Sequence, residues 1–361
     1  MKKKFKILLI SNMYPSKEFK YYGIFVKNFE KYIKKYFKIT RVVIKGKSKN
    51  KLEKIKKYFI FFKMILRNIK YEDFDLIYVH YISHSLIPFL FVNKIKKPLV
   101  LNVHGSDIMS KSLFNKILQK TLYRIIKKSE LIIVPSNYFK NLVSNKFKIK
   151  SEKIFIYPSG GVNTKIFKPV NKKNNYIFTI GFVSRIDKGK GWDILLNAIY
   201  LLYKSNYKFR VIIIGSGSQE KLLFEKIHTL ELNSVVKYLG SIPHNKLVNY
   251  FNMMDVFVFP TILPESLGLV GLEAMACGVP VIGSKIGGLQ DYIINNKNGF
   301  FFEPGNAEDL KEKLIYSIEN RDLLNEMGKN ARFTSLKYDS NFVSKQLKIK
   351  LERIINATQK I

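Results

Sequence analysis

The sequence predicts an α/β protein made of two doubly wound domains, each a parallel sheet covered by helices on both faces. Three observations carry this expectation. Short β-rich apolar runs alternate with longer segments of helical period, the alternation pauses near Pro169 and then restarts, and 361 residues are about two domains' worth of chain. A hydrophobic content of 47% is enough for packed cores and excludes a disordered or collagen-like polymer.

The elements follow in order. Residues 5–10 read as the first strand, because the apolar run behind the basic start is only four residues long, too short for a signal sequence. Further strands are expected at 40–44, 76–79, 99–103, 131–134 and 154–157, with helices filling the intervals. The uncharged run 76–93 approaches bilayer length, but His80, Ser83, His84, Ser85 and Pro88 interrupt it. A strand followed by a helix suits it better, and no integral membrane segment is expected.

Residues 167–175, with Pro169 followed by Asn and Lys, are the candidate linker. Strands then recur at 177–183, 210–214, 235–239, 256–259, 280–283 and 299–302, and helices at 307–318, 321–333 and 339–355. The expected division is 1–170 for a first Rossmann-like domain, 171–335 for a second, and 336–361 for a closing C-terminal helix, with an interdomain cleft. Ligands of such sheets bind beyond the carboxyl ends of the strands, so residues just after each strand are the candidates for chemistry.

Charge adds a constraint. The formal net charge is +36, and it is unevenly placed: residues 1–175 hold 40 basic and 9 acidic residues, whereas 176–361 hold 23 and 18. Such a surface attracts polyanions, although the abundance of Lys, Asn, Ile, Phe and Tyr also suits compositional drift towards Lys. Residues 45–70 carry ten basic residues and one acid among large apolar and aromatic ones, which fits a helix on an anionic membrane surface or an ordinary amphipathic helix with a solvated Lys face. The single cysteine, Cys277, offers neither an internal disulfide nor a zinc cluster, in keeping with a reducing cytoplasm. His80 and His84 lie four apart but lack a third ligand at suitable spacing, so no metal site is expected there. Trp192 is expected to pack where a helix begins.

The most specific stretch is PESLGLVGLEAMACGVPVI over residues 264–282, in which Glu265 and Glu273 stand eight apart in an apolar run. Burying an unpaired carboxylate is expensive, so each needs a ligand or a partner. Eight helical residues turn roughly 80° beyond two full turns, which suits one acid in a loop and the other inside a helix. That helix would begin at Ser266 or its neighbours, with backbone N–H groups near Gly268 and Leu269 free for a phosphate, Gly268 admitting the ligand, and Gly278 ending the helix.

This run resembles the signature of retaining glycosyltransferases of the GT-B fold, of the family 4 type, also called group 1. The loop Gly181 to Gly191 resembles the family's Gly-Arg-x4-Lys-Gly, with Ser184 in place of the glycine before Arg185. The resemblance implies that Arg185 and Lys190 clamp the donor diphosphate, that Glu273 takes the ribose hydroxyls, and that Glu265 takes hydroxyls of the donor sugar. Residues 215–217 and 237–240 resemble the places where the family holds phosphate and base, which puts Gly215 on the donor. Leu99 to Asp107 resembles the strand and His-Gly-x-Asp that reach the sugar, with His104 at the sugar or reacting centre and Asp107 orienting the loop or the acceptor. Residues 11–26 resemble the first loop and helix, where Gly23 lets backbone approach phosphate and acceptor; Tyr22 replaces a second glycine common there. Residues 157–169 resemble the family's Pro-Asn-Gly-Val-Asp and Phe-x-Pro, with Asn163 at the usual acid.

The function so implied is retaining transfer of a sugar from a UDP- or GDP-sugar to a glycan or lipid-linked acceptor in surface polysaccharide biosynthesis, such as lipopolysaccharide or capsule. The resemblance further implies a front-face mechanism without metal or cofactor, in a cytoplasmic enzyme peripheral on the inner face of the membrane through its basic first domain. No nucleic acid partner is expected, since no recognised nucleic-acid-binding motif accompanies the charge. A nucleic-acid- or polyanion-binding protein, and a phosphorylase or sugar-binding relative of the same fold, are the alternatives.

Overall fold

The computed structural model describes residues 4–71, 73–110, 112–170 and 177–359. Two compact units emerge, one formed by Met1–Gly161 with Asn341–Ile361 and the other by Val162–Ser340.

In the first unit, β1 (Lys6–Tyr14), β2 (Lys38–Lys45), β3 (Leu76–His80), β4 (Leu99–Asn102), β5 (Leu131–Val134) and β6 (Ile154–Ile156) form one sheet in the order β2-β1-β3-β4-β5-β6. Every pairing is parallel, with Ile7 opposite Ile39 and Leu76, and Ile77 opposite Leu99. Alternate side chains face opposite ways, so each strand feeds two cores. Leu8, Ile10, Ile77 and Val79 pack with Phe61 and Ile65 of the helix Lys51–Tyr71 and Leu122 of the helix Leu113–Lys128. Ile7, Leu9, Leu76 and Tyr78 pack with Phe29 of the helix Ile24–Ile33 and Leu351 of the final helix, Ser340–Gln359.

The second unit repeats the plan. The strands β7 (Phe178–Val183), β8 (Phe209–Ile214), β9 (Val236–Tyr238), β10 (Val256–Phe259), β11 (Val281–Ser284) and β12 (Gly299–Phe302) run parallel in the order β12-β11-β10-β7-β8-β9. The helix Trp192–Lys204 covers one face through Leu195, Ile199 and Leu202; the short helix Leu269–Ala276 covers the other through Leu272 and Met275. Trp192 is buried as the first residue of its helix, with its indole N–H on Gln219 Oε1 at 3.1 Å.

The structure divides the chain differently from the expected 170/171 boundary. Phe167 is buried in the second unit's core and the Arg332 guanidinium donates to its carbonyl at 2.9 Å, so the crossing comes after Gly161. The rest of the candidate linker, residues 171–175, lies outside the described residues. At the far end, the helix Arg321–Leu336 belongs to the second unit and the closing helix starts at Ser340, later than the expected 336. Its apolar residues Val343, Leu347, Leu351 and Ile355 recur at helical spacing, and that stripe fills the core under β1 and β3. Two local forms also differ: after β3 the chain makes a 3₁₀ segment, His84–Phe91, because Pro88 cannot donate a helical hydrogen bond, and β1 runs on past Ile10 to Tyr14.

Leu351 is fully buried, so Leu351→Ala is expected to cost about 2–5 kcal/mol in the first unit. Denaturant unfolding followed by probes in each unit checks this: the first unit's transition moves to lower denaturant while that of the second keeps its midpoint.

Candidate functional site

Strand order reverses once in each sheet. In the second unit the chain leaves β7 towards β8 and β9, then returns on the other side of β7 to form β10. A crevice opens beyond the carboxyl ends of two such strands because their connections turn away in opposite directions. The loops after β7 and β10 contain Arg185, Lys190 and Glu265.

These loops are fastened to one another. Ile262 N–H donates to the Gly189 carbonyl at 3.0 Å and the Thr261 hydroxyl donates to it at 3.2 Å. Lys190 Nζ then meets Glu265 Oε1 at 2.6 Å, with both side chains largely enclosed at 17% and 19% exposure. Arg185 points elsewhere: its guanidinium is 71% exposed and pairs with Asp187 Oδ2 at 2.7 Å. Asp187 in turn accepts from the backbone N–H and hydroxyl of Ser218 at 2.8 and 2.9 Å, and these bonds lower its pKa from the usual value. Gly215 lies in the same neighbourhood at the end of β8, its N–H on the Gly240 carbonyl at 2.8 Å and its carbonyl accepting from the Tyr238 hydroxyl at 2.7 Å.

Glu265 stands in a loop and Glu273 inside a helix, as the spacing implies, but the helix starts at Leu269 and not at Ser266. Ser266 and Leu267 form a bend, and Gly268 occupies the N-cap position with φ 83°, a left-handed conformation that disfavours any side chain. Gly268 is also closely packed on one side. A Cβ there would lie 2.7 Å from Leu289 Cδ2 and 2.9 Å from Phe259, so protein already fills that side. The Gly268 carbonyl accepts from the buried Tyr292 hydroxyl at 3.0 Å, and the helix start carries no side-chain cap. Gly287 and Gly288 do comparable work: side chains at either would strike the backbone of Glu265 or Ser266, and Gly288 N–H donates to the Glu265 carbonyl at 2.9 Å.

Glu273 is 7% exposed, and its Oε1 lies 2.7 Å from His244 Nε2. The hydrogen bond to the carboxylate raises the His244 pKa above 6.5, with burial working against it. The sequence reading missed His244. It stands 29 positions from its partner, at the start of the three-residue 3₁₀ turn His244–Lys246, with no local spacing signal.

In the first unit the reversal falls between β1 and β3. Asp107 is 2% exposed, and its carboxylate accepts from the backbone N–H groups of Gly105 at 2.8 Å, His104 at 3.1 Å and Ile82 at 3.2 Å. Burial pushes its pKa up to about 6 despite these donors. It fixes the loop after β4 and so aims His104, whose Nε2 meets His80 Nδ1 at 2.8 Å. Gly23 caps the helix Ile24–Ile33 with φ 69°, which starts the helix that brings the Phe25 ring to 4.1 Å from the His104 ring. His80 therefore pairs with His104, whereas His84 Nδ1 faces Ser83 Oγ at 3.1 Å.

Comparison with known proteins fits this geometry. Residues 163–334 match the family model described as Glycosyl transferases group 1, and residues 11–164 match Glycosyltransferase Family 4. An uncharacterized glycosyltransferase of Methanocaldococcus jannaschii is 32% identical over 275 residues, covering 75% of this chain and 73% of that protein. The capsular polysaccharide biosynthesis glycosyltransferase CapM of Staphylococcus aureus is 32% identical over 197 residues, 54% of this chain and 50% of its own. Among solved structures, the Anabaena Alr3699/HepE protein in complex with UDP superposes with a TM-score of 0.78 at 20% identity, covering 96% of this chain and 100% of that one. At that identity the likeness shows the fold.

The His244–Glu273 pair gives a direct check. With Glu273→Ala, only the lowering influence of burial remains, so the imidazole of His244 is expected to titrate below 6.5 where the wild type titrates above it. Histidine NMR titration reads the shift, and an unchanged midpoint contradicts the pairing.

Proposed function

Because the chain belongs to the group 1 glycosyltransferases, enzymes of GT-B fold, we propose that it moves a sugar with retention of configuration from a nucleotide-sugar donor to a glycan or lipid-linked acceptor of a surface polysaccharide. The observation that carries this reading is the Lys190–Glu265 pair held by two interlocked loops at the β7/β10 reversal. The UDP held by the Anabaena protein supports a nucleoside diphosphate donor, and the capsular role of the Staphylococcus aureus relative supports the acceptor class.

The proposed chemistry needs charge neutralisation first. As the bond between the anomeric carbon and the phosphate oxygen breaks, its electron pair leaves with the nucleoside diphosphate. The Lys190 ammonium has three N–H groups, so it can hold Glu265 with one and phosphate oxygens with the others. Arg185, exposed and able to turn from Asp187 towards the donor, and the start of the helix at Leu269 add positive potential to the same oxygens. Glu273 accepts the ribose hydroxyls with His244 steadying its carboxylate, and Glu265 accepts a sugar hydroxyl. His104 is assigned to the sugar or reacting centre. The acceptor hydroxyl attacks the anomeric carbon on the face the phosphate leaves, and its proton passes to the departing phosphate oxygen. Transfer is expected without metal.

A membrane-bound acceptor also accounts for the surface of the first unit. Leu52, Ile55, Phe59 and Met64 are exposed along the helix Lys51–Tyr71, as are Phe91 in the 3₁₀ segment and Leu113, Phe114 and Ile117 at the start of the helix Leu113–Lys128. Both helices border that 3₁₀ segment. Apolar side chains among ten basic residues suit an anionic bilayer. No helix among the described residues is long and apolar enough to cross a membrane.

Lys190→Ala is expected to lower kcat/KM for transfer by about 10²–10³-fold, measured by product formation from UDP- and GDP-sugars. Full retention of rate would remove the site assignment. Phe59→Ser combined with Phe114→Ser is expected to abolish most sedimentation with anionic vesicles while leaving hydrolysis of a soluble donor intact; equal sedimentation contradicts the membrane reading.

A further inference from the structure

His80 has no part in the chemistry proposed above, yet it is 1% exposed at the end of β3 with its Nδ1 2.8 Å from His104 Nε2. Its other nitrogen, Nε2, is buried without a hydrogen-bond partner. Phe29 and Tyr78 surround the ring, with centroids at 4.6 and 4.9 Å, and the two imidazoles lie nearly parallel at 21°. A contact of 2.8 Å between two ring nitrogens needs one hydrogen between them, and it can be arranged in two ways.

If His104 Nε2–H donated to His80 Nδ1, His80 would carry its own proton on Nε2, a buried N–H with no acceptor. If His80 Nδ1–H donates to His104 Nε2, His80 Nε2 is a bare lone pair instead. Orphaned buried N–H groups are rarer in folded proteins than under-satisfied acceptors, so the second arrangement is favoured. It leaves His104 protonated on Nδ1, the nitrogen that remains for a ligand.

We infer that His80 is a positioning residue that fixes the tautomer and ring plane of His104, so that His104 offers an Nδ1–H donor to a sugar or phosphate oxygen and does not act as a base. The inference rests on the assignment of His104 to the sugar or reacting centre. Burial lowers the pKa of both rings, that of His104 to about 3, which keeps the pair neutral and a single shared proton in place. The surroundings agree with a fixed ring: the Asp107 carboxylate anchors the His104 backbone N–H at 3.1 Å, and Phe25 packs on the imidazole.

The test is long-range ¹H–¹⁵N correlation on the full chain labelled at histidine, which has only five such residues. The expected result for the wild type is a protonated Nδ1 and a bare Nε2 on His104. In His80→Asn the amide nitrogen occupies the position of Nδ1 and donates in its place, so this variant keeps the tautomer and most of the turnover. His80→Phe has no donor; its His104 signals should move towards the Nε2–H form, and kcat should fall about ten- to a hundredfold with a smaller change in KM. An Nε2–H tautomer in the wild type, or an unchanged tautomer in His80→Phe, overturns the inference. Should His80→Phe fail to fold, the wild-type tautomer and the His80→Asn spectrum decide. If His104→Ala transfers sugar at the full rate, the assignment of His104 fails instead, whatever the tautomer shows.

Discussion

The contact on which the site of the second unit depends is the ion pair between Lys190 and Glu265, closed to 2.6 Å and largely withdrawn from water. An enclosed carboxylate is costly unless a partner offsets its lost hydration, and an enclosed ammonium is costly for the same reason. The pair therefore holds the loop after β7 and the loop after β10 in one register. The Gly189 carbonyl, bonded by Ile262 and Thr261, secures the same loops through the backbone. Once they are joined, the helix Leu269–Ala276 has a fixed starting point and Glu273 a fixed place on it.

The same constraint recurs at other carboxylates near the candidate residues, fully or partly enclosed. Glu273 is matched by His244, Asp187 by Ser218 and Arg185, and Asp107 by three backbone N–H groups. His80 departs from this, with one ring nitrogen satisfied and one not, and so does Asn12, whose amide donates to Tyr58 while its Oδ1 is buried without a partner. Most of these carboxylates are held by groups from another loop or strand end, so each pairing fixes local backbone as well as charge.

Much of the fold was legible in the sequence because parallel strands buried on both faces leave short continuous apolar runs, and all twelve expected strands are present with ends shifted by a few residues. The division of the chain was less so. Phe167 and the final helix commit to their cores through contacts distant in sequence, which no local composition shift announces. At the site, the separation of Glu265 and Glu273 correctly implied a loop acid and a helix acid, since an apolar stretch does not otherwise carry two carboxylates. The packing of Leu289 and Phe259 against Gly268 was not legible, because nothing in the local sequence says which side chains close on a glycine. His244 and His80 were not legible in their roles at all, since each acquires its role from a partner at least 24 residues away.

The central claim is that the β7/β10 end of the second sheet is a nucleoside diphosphate site with Lys190 at its phosphates. Calorimetric titration of UDP, GDP and ADP into the wild type and into Lys190→Ala tests it most directly. The prediction is one-to-one binding of one of the three by the wild type, weakened about tenfold or more in the variant, as loss of a charged hydrogen bond to phosphate requires. Absence of binding by all three nucleotides, or equal affinity in the two proteins, would contradict it.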